Sequence, residues 1–154
     1  MKTRYNAYAV APDAYKAVIA LENHVSKESG LPHRLIHLIK LRASVLNGCA
    51  FCVDMHVKEA RKDGLSEQWI NLVSVWREAA VYSEKERAVL AWTDAVTLIS
   101  QTGIPDADYQ AIRTHFSEEE IAKITIAIGT INLWNRIAVA ARTQHPVDAS
   151  AKAA

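Results

Sequence analysis

Apolar residues recur at helical spacing along most of this chain, and no stretch shows the alternation of a half-buried strand. Two segments, residues 34–47 and 118–143, are apolar on most of their faces, which is typical of buried central helices. The β-branched stretch 124–131 is the one ambiguous segment, and the length of its apolar pattern favours a helix. Glycines separate the apolar segments where left-handed helix ends are common, at Gly30, Gly48, Gly64 and Gly103. This pattern predicts an all-α fold.

The helical pattern divides into about six to seven helices within one domain that spans residues 1–145. The predicted helices cover residues 13–29, 34–47, 49–63, 67–79, 84–101, 106–115 and 118–143. Two of them begin with a Ser-x-x-Glu capping box, formed by Ser83 with Glu86 and by Ser117 with Glu120. The small and polar residues 146–154 are predicted to form a flexible tail.

Composition and charge exclude several classes of protein. The 154 residues carry 18 Lys and Arg against 17 Asp and Glu, so charge gives no reason to expect a nucleic acid or an anionic membrane as partner. No apolar run reaches the roughly 20 residues of a spanning helix, and Pro12, Asp13 and Lys16 interrupt any apolar signal segment near the start. We therefore expect a soluble, cytoplasmic protein. In a reducing compartment, a close pair of cysteines is more often catalytic or metal-binding than structural.

The stretch 41–64 contains the motif that carries chemistry, Cys49-x-x-Cys52-x-x-x-His56. At about 100° per residue, the three side chains lie on one narrow face of a helix, with His56 one turn beyond Cys52. A thiol must ionise before it attacks a peroxide or a disulfide, and an imidazole at this spacing can take the proton. The i, i+3 spacing also lets the second thiol convert a sulfenic acid into a disulfide without a domain motion. The spacing therefore favours redox chemistry.

Two other interpretations of the cysteine pair stay open. Zinc needs four ligands, so a zinc site has to add His56 and one of His24, His33 and His37. Inert thiols buried in the core are the other interpretation. His37 lies in an otherwise apolar helix, where a polar side chain needs a partner, and it is either a member of the site or a structural buried histidine. We expect neither a metal nor an organic cofactor.

At these residues the sequence resembles the AhpD-type alkylhydroperoxidases of the carboxymuconolactone decarboxylase family. The resemblance rests on Leu41-Arg42-Ala43-Ser44, on Asn47-Gly48-Cys49-Ala50-Phe51-Cys52 and on Asp54-Met55-His56, and weaker similarity extends over roughly residues 15–145. It implies an all-helical fold and a trimeric or hexameric homo-oligomer that reduces hydroperoxides through its thiols. In that family the second cysteine attacks the peroxide and the first resolves it, which implies these roles for Cys52 and Cys49, with His56 as the matching histidine.

Two positions depart from the family pattern. His37 stands where relatives usually carry the glutamate of a proton relay, and Phe51 stands where some carry a histidine. Because a histidine gives no fixed negative charge, the relay is predicted to run differently or more slowly here. The implied partners are a hydroperoxide substrate, a dithiol reductant resembling dihydrolipoamide or thioredoxin, and further copies of the chain. The alternatives are a non-catalytic redox sensor or assembly protein, and a decarboxylase-like relative acting on a small lactone acid, although decarboxylating relatives lack the cysteine pair.

Overall fold

The computed structural model describes residues 2–147, which form nine α-helices and no β-strand. The helices are α1 (Ala7–Val10), α2 (Pro12–Asn23), α3 (His33–Leu46), α4 (Ala50–Lys62), α5 (Glu67–Asn71), α6 (Glu84–Thr97), α7 (Ile99–Thr102), α8 (Asp106–Arg113) and α9 (Glu118–Ala141). A π-helical turn, His24–Glu28, continues α2, and a 3-10 turn, Leu72–Val75, continues α5. The all-α prediction is confirmed, and the ambiguous segment 124–131 lies within α9. The predicted tail falls, from residue 148 onward, outside the described residues.

The predicted count of six to seven helices is too low. Helix α1 forms before the expected first helix, because the side chain of Asn6 accepts the backbone N–H of Ala9 at 3.1 Å and caps it. The predicted helix over 84–101 is divided into α6 and α7 around Leu98. There Oγ1 of Thr102 donates to the carbonyl of Ala95 at 2.7 Å, so a side chain satisfies an acceptor of the interrupted helix.

The predicted helix over 67–79 is also shorter than expected, because α5 ends at Asn71. Arg87, on α6, donates through Nη1 to the carbonyls of Trp76 and Ala79, each at 3.1 Å. These carbonyls need a partner when they are removed from water, and a side chain from another helix supplies it. Hydrophobic periodicity along one segment contains no information about such a contact.

Helix ends follow the local sequence signals. Ser83 and Ser117 each accept the backbone N–H of the glutamate three residues later at 3.2 Å, and both glutamates bond back, so the two predicted capping boxes are confirmed. The four separating glycines all have positive φ angles. These signals act within one turn of the chain, which is why sequence alone predicts them.

Helices α3 and α9 lie at the centre of the fold, as their apolar sequences predict. Helix α3 packs against α4, α6 and α9. The most deeply buried side chains include Leu38, Ile39, Leu41, Ile124, Ile128 and Ile131. By length and composition α9 resembles a membrane span, but its packing against α3 and α6 buries many of its apolar residues, among them Ile124, Ile128 and Ile131. The start of α4 meets the end of α9, and Cys49 and Cys52 cluster there with Ala138.

Candidate active site

The two cysteines lie at the start of α4, directly after the turn that follows α3. Gly48 makes this turn with a φ of 62°, a left-handed conformation that favours glycine. Cys49 is the N-cap residue of α4, and its sulfur accepts the backbone N–H of Cys52 at 3.3 Å. The two sulfurs are joined as a disulfide, and each residue is only 2% exposed. The local sequence thus places a buried sulfur pair at the positive end of a helix dipole.

His56 lies one turn further along α4 and is buried. Its Nδ1 is 2.8 Å from Oε2 of Glu59. This hydrogen bond lowers the pKa of Glu59 below its ordinary value; burial opposes the change, and the positive charge of Lys40 reinforces it. Because an ionised carboxylate only accepts hydrogen bonds, Nδ1 of His56 carries the hydrogen and donates a hydrogen bond to Glu59.

The other ring nitrogen, Nε2 of His56, is therefore the basic one in the neutral ring. It is buried and has no hydrogen-bond partner among residues 2–147. A buried polar atom without a partner costs about 1–3 kcal/mol, so its retention calls for an explanation. Side chains at i and i+4 are neighbours on a helix, so His56 lies on the same face of α4 as Cys52, and both residues line the same cavity. His56 and Glu59 together have the parts of an oriented general base.

A cavity of about 740 Å³ opens beside Cys52, His56 and Glu59. Of the two cysteines, only Cys52 lines it. Much of its remaining wall is aromatic or apolar and includes Tyr5, Tyr8, Tyr15, Phe51, Met55 and Trp134. A cavity of this volume with a few polar groups on one side is typical of a site for a small organic molecule.

A second polar group lies in the wall of the same cavity. The ammonium of Lys40 donates to Oε1 of Glu22 at 2.5 Å and to Oγ of Ser26 at 3.0 Å. The indole of Trp134 donates to Oε2 of Glu22 at 3.1 Å. These hydrogen bonds link α2, α3 and α9 around the cavity, and they hold the positive charge of Lys40 where it acts on Glu59.

Residues 12–95 match the carboxymuconolactone decarboxylase family. This match covers more than half of the chain and includes both cysteines, His56 and Glu59. The chain belongs to the carboxymuconolactone decarboxylase family.

Three relatives show which part of this family the chain resembles. One solved structure is that of ATU0492 from Agrobacterium tumefaciens, a protein of unknown function proposed as an antioxidant defence protein AhpD. Its sequence is 68% identical to this one. The two structures match with a TM-score of 0.93, over 96% of this chain and 100% of that chain. An uncharacterised peroxidase-related protein with an AhpD core, from Ralstonia eutropha JMP134, is 25% identical with a TM-score of 0.79, over 90% of this chain and 74% of that one. The uncharacterised protein YdfG of Bacillus subtilis (strain 168) is 39% identical over 140 residues, which are 91% of this chain and 95% of YdfG. This member of the family is AhpD-like.

In this AhpD-like protein, the structure brings together three of the four predicted site residues. Cys49 and Cys52 lie at the start of α4 and His56 lies one turn further along the same helix, whereas His37 lies on α3 and does not line the cavity. Nε2 of His37 is 2.7 Å from Oδ2 of Asp63, so the buried ring has the partner that its burial requires. His37 also helps to lower the pKa of Glu59 through its charge. A direct role for His37 in a proton relay stays a prediction.

Sequence reasoning missed Glu59, Lys40 and Glu22. Glu59 follows His56 by three residues, a spacing at which helical side chains adjoin, so the sequence contains enough signal to find it. Lys40 and Glu22 lie on different helices, and no spacing along the chain predicts that they meet. Residues 2–147 contain no group of three His, Cys, Asp or Glu side chains arranged to hold a metal ion.

Proposed function

We propose that this protein is a thiol-dependent hydroperoxide reductase with Cys49 and Cys52 as its redox pair. The observation that carries the proposal is the unpartnered Nε2 of His56, oriented by the Glu59 carboxylate on the helix that holds the sulfurs. A purely structural disulfide needs no base beside it, whereas a nucleophilic thiol needs a group that takes its proton. The similarity to the AhpD-related proteins from Agrobacterium and Ralstonia supports the same chemistry.

The proposed reaction is a two-electron reduction of the peroxide. His56 takes the proton of the Cys52 thiol, and the thiolate attacks one peroxide oxygen, so that the O–O bond breaks and Cys52 becomes a sulfenic acid. The departing alkoxide takes the proton from His56 and leaves as an alcohol. The Cys49 thiol then attacks the Cys52 sulfur, which releases water and forms the disulfide found in the structure.

Glu59 has the orienting role in this proposal. His37 occupies the place of the family's relay glutamate and carries no fixed negative charge. The Glu59 carboxylate supplies that charge from a different position, through its hydrogen bond to Nδ1 of His56. We further propose that a dithiol of the dihydrolipoamide or thioredoxin type reduces the disulfide, in a reducing cytoplasm.

A peroxide-consumption assay with dihydrolipoamide as reductant tests the function. The wild-type protein is expected to turn over many times, and Cys52→Ser to consume no peroxide above background. Cys49→Ser is expected to lose multiple turnover while Cys52 still reacts once. A wild-type protein that oxidises once with peroxide and is not turned over by the dithiol is a redox sensor, and the proposal is then wrong.

We also propose that the chain forms a trimer or hexamer through the exposed face of α9. Ile126 and Leu133 are 50% and 38% exposed, and Gly129 lies between them on the same side of the helix. An exposed apolar helix face of this kind favours burial against a partner. Light scattering is expected to show an oligomer that Leu133→Glu dissociates, whereas Ile99→Glu, at an exposed apolar residue of α7, leaves it intact. A wild-type monomer at micromolar concentration contradicts this proposal.

A further inference from the structure

The two cysteines of the disulfide line different cavities. Cys52 lines the cavity of about 740 Å³, whereas Cys49 lines a second cavity of about 310 Å³ between the start of α4 and the residues that follow α9. The two cavities adjoin, since Phe51, Ala138, Thr143 and Gln144 contribute to both linings. A molecule in the second cavity therefore approaches the disulfide from the Cys49 side.

The two cavities also differ in charge. Arg142 and His145 lie in the wall of the second cavity, and none of the described residues that line it carries a carboxylate. The first cavity holds the carboxylates of Glu22 and Glu59 against the ammonium of Lys40. A negatively charged molecule is thus attracted to the Cys49 side and gains no such attraction on the Cys52 side.

We propose that the reductant of this enzyme is a small dithiol with a negatively charged group, and that it enters the second cavity and attacks Cys49. This inference rests on the proposed thiol-dependent function and adds the entry route and the chemical class of the reductant. Because Cys49 is only 2% exposed, a slender molecule reaches its sulfur more easily than the surface of a folded protein does. The guanidinium of Arg142 keeps its positive charge at every working pH and is the group that selects the anion.

The proposed exchange balances in atoms and electrons. One thiolate of the reductant attacks Sγ of Cys49 and forms a mixed disulfide, while the bond between Cys49 and Cys52 breaks and Cys52 leaves as a thiolate. The second thiolate of the reductant then attacks the reductant's own sulfur in the mixed disulfide, which closes a cyclic disulfide and frees Cys49. Two electrons pass to the protein, and the two protons lost by the dithiol end on the two protein thiols. Cys52 is released beside His56, on the side where the peroxide reacts.

Two reductants with the same dithiol and different charge test the proposal. Dihydrolipoate carries a carboxylate, and dihydrolipoamide replaces it with a neutral amide. The experiment measures the rate at which each reduces the oxidised wild-type protein, without peroxide, by alkylating and counting free thiols after quenching. Dihydrolipoate is expected to react about fourfold faster at low ionic strength, which is the effect of one pair of opposite charges ~5 Å apart in water. This advantage is expected to disappear in ~1 M salt, which screens the attraction.

Three variants assign the advantage to Arg142. Arg142→Gln is expected to abolish the difference between the two reductants, and Arg142→Lys to retain it. Lys123→Gln makes the same change in net charge near the opposite end of α9 and is expected to behave as wild type. Equal rates with the two reductants in the wild-type protein, or the same loss in Lys123→Gln, overturn the proposal.

The position of attack is tested by trapping. The oxidised protein is mixed with the anionic monothiol mercaptoacetate, quenched with iodoacetamide and sequenced by tandem mass spectrometry. The mercaptoacetate adduct is expected on Cys49 and the carbamidomethyl group on Cys52, and the reverse pattern overturns the proposal. The reductive step is measured without peroxide and therefore does not depend on the peroxidase function. Failure of that function is detected in a second measurement, in which hydroperoxide does not reoxidise the reduced protein.

Discussion

Two buried histidines of this protein share the same polar surroundings and differ in what lies beyond them. In His56 and His37 alike, one ring nitrogen bonds a half-exposed carboxylate, Glu59 at 2.8 Å and Asp63 at 2.7 Å. In both rings the other nitrogen is buried without a partner among the described residues. His56 lines the cavity together with Cys52, and His37 does not.

Both histidines have the parts of a general base, but only His56 lies beside a candidate substrate site. A carboxylate selects the tautomer of the ring and holds the ring in place, and both histidines have one. In each pair the hydrogen bond with the histidine lowers the pKa of the carboxyl group, so both partners are acceptors. Only His56 shares a cavity with a cysteine, and this makes its pair, and not that of His37, a candidate for catalysis.

The largest expected effect comes from removing the two rings in turn. His56→Ala is expected to slow peroxide consumption about 100-fold, since a positioned base contributes about that much or more. His37→Ala is expected to leave the rate within about threefold, far below the effect of a positioned base, because His37 does not line the cavity with Cys52. Both rates are measured at neutral pH with saturating dithiol.

Thiol alkylation separates loss of the base from loss of the fold. In a Cys49→Ser background, the rate of reaction of Cys52 with iodoacetamide across pH reports the Cys52 pKa. His56→Ala is expected to move the profile to higher pH, with about tenfold slower alkylation for each unit. If His56→Ala and His37→Ala shift the pH profile of Cys52 alkylation equally, the proposed difference between the two histidines is wrong and His37 belongs to the relay.

A smaller effect is expected from the two carboxylates. Glu59→Gln keeps a side chain of the same shape but loses the charge that orients His56 and stabilises its protonated form. We expect about tenfold slower peroxide reduction, less than for loss of the ring itself. Asp63→Asn is the matched control at the His37 pair and is expected to change the rate by less than about twofold. Similar losses in both variants would show that the pairs act alike.

The smallest expected effect is on stability and its dependence on pH. Because the pKa of Glu59 is lower in the folded protein, its ionised form stabilises the fold above the ordinary value of 4.5, and this stabilisation is lost as the pH falls through the folded value. Glu59→Gln lacks this contribution. Urea unfolding is expected to show wild type more stable by less than about 1 kcal/mol at pH 7, since the carboxylate is half-exposed, with the difference shrinking below pH ~4. A difference that grows on acidification contradicts the assignment.

Much of the fold and half of the site were accessible from local sequence. The capping boxes at Ser83 and Ser117 and the turn at Gly48 depend on residues within one turn of each other. The grouping of Cys49, Cys52 and His56 depends only on helical geometry, and so does Glu59, which the same reasoning can reach. Each of these features follows from local helix formation and does not depend on which other segments pack against the helix.

The remaining features depend on contacts between distant segments. Arg87 of α6 bonds the carbonyls of Trp76 and Ala79 beyond the end of α5, and the group formed by Glu22, Lys40 and Trp134 joins three helices. The sequence determined that His37 is buried and needs a partner; the packing of α3 decided that this partner is Asp63 and that the ring lies outside the cavity lining. Periodicity reports which face of a helix avoids water, whereas the identity of the neighbour on that face is set by how the helices pack. For that reason the sequence determined which residues are candidates for the chemistry, and only the tertiary structure decided that Cys52 and Cys49 line two cavities of different charge.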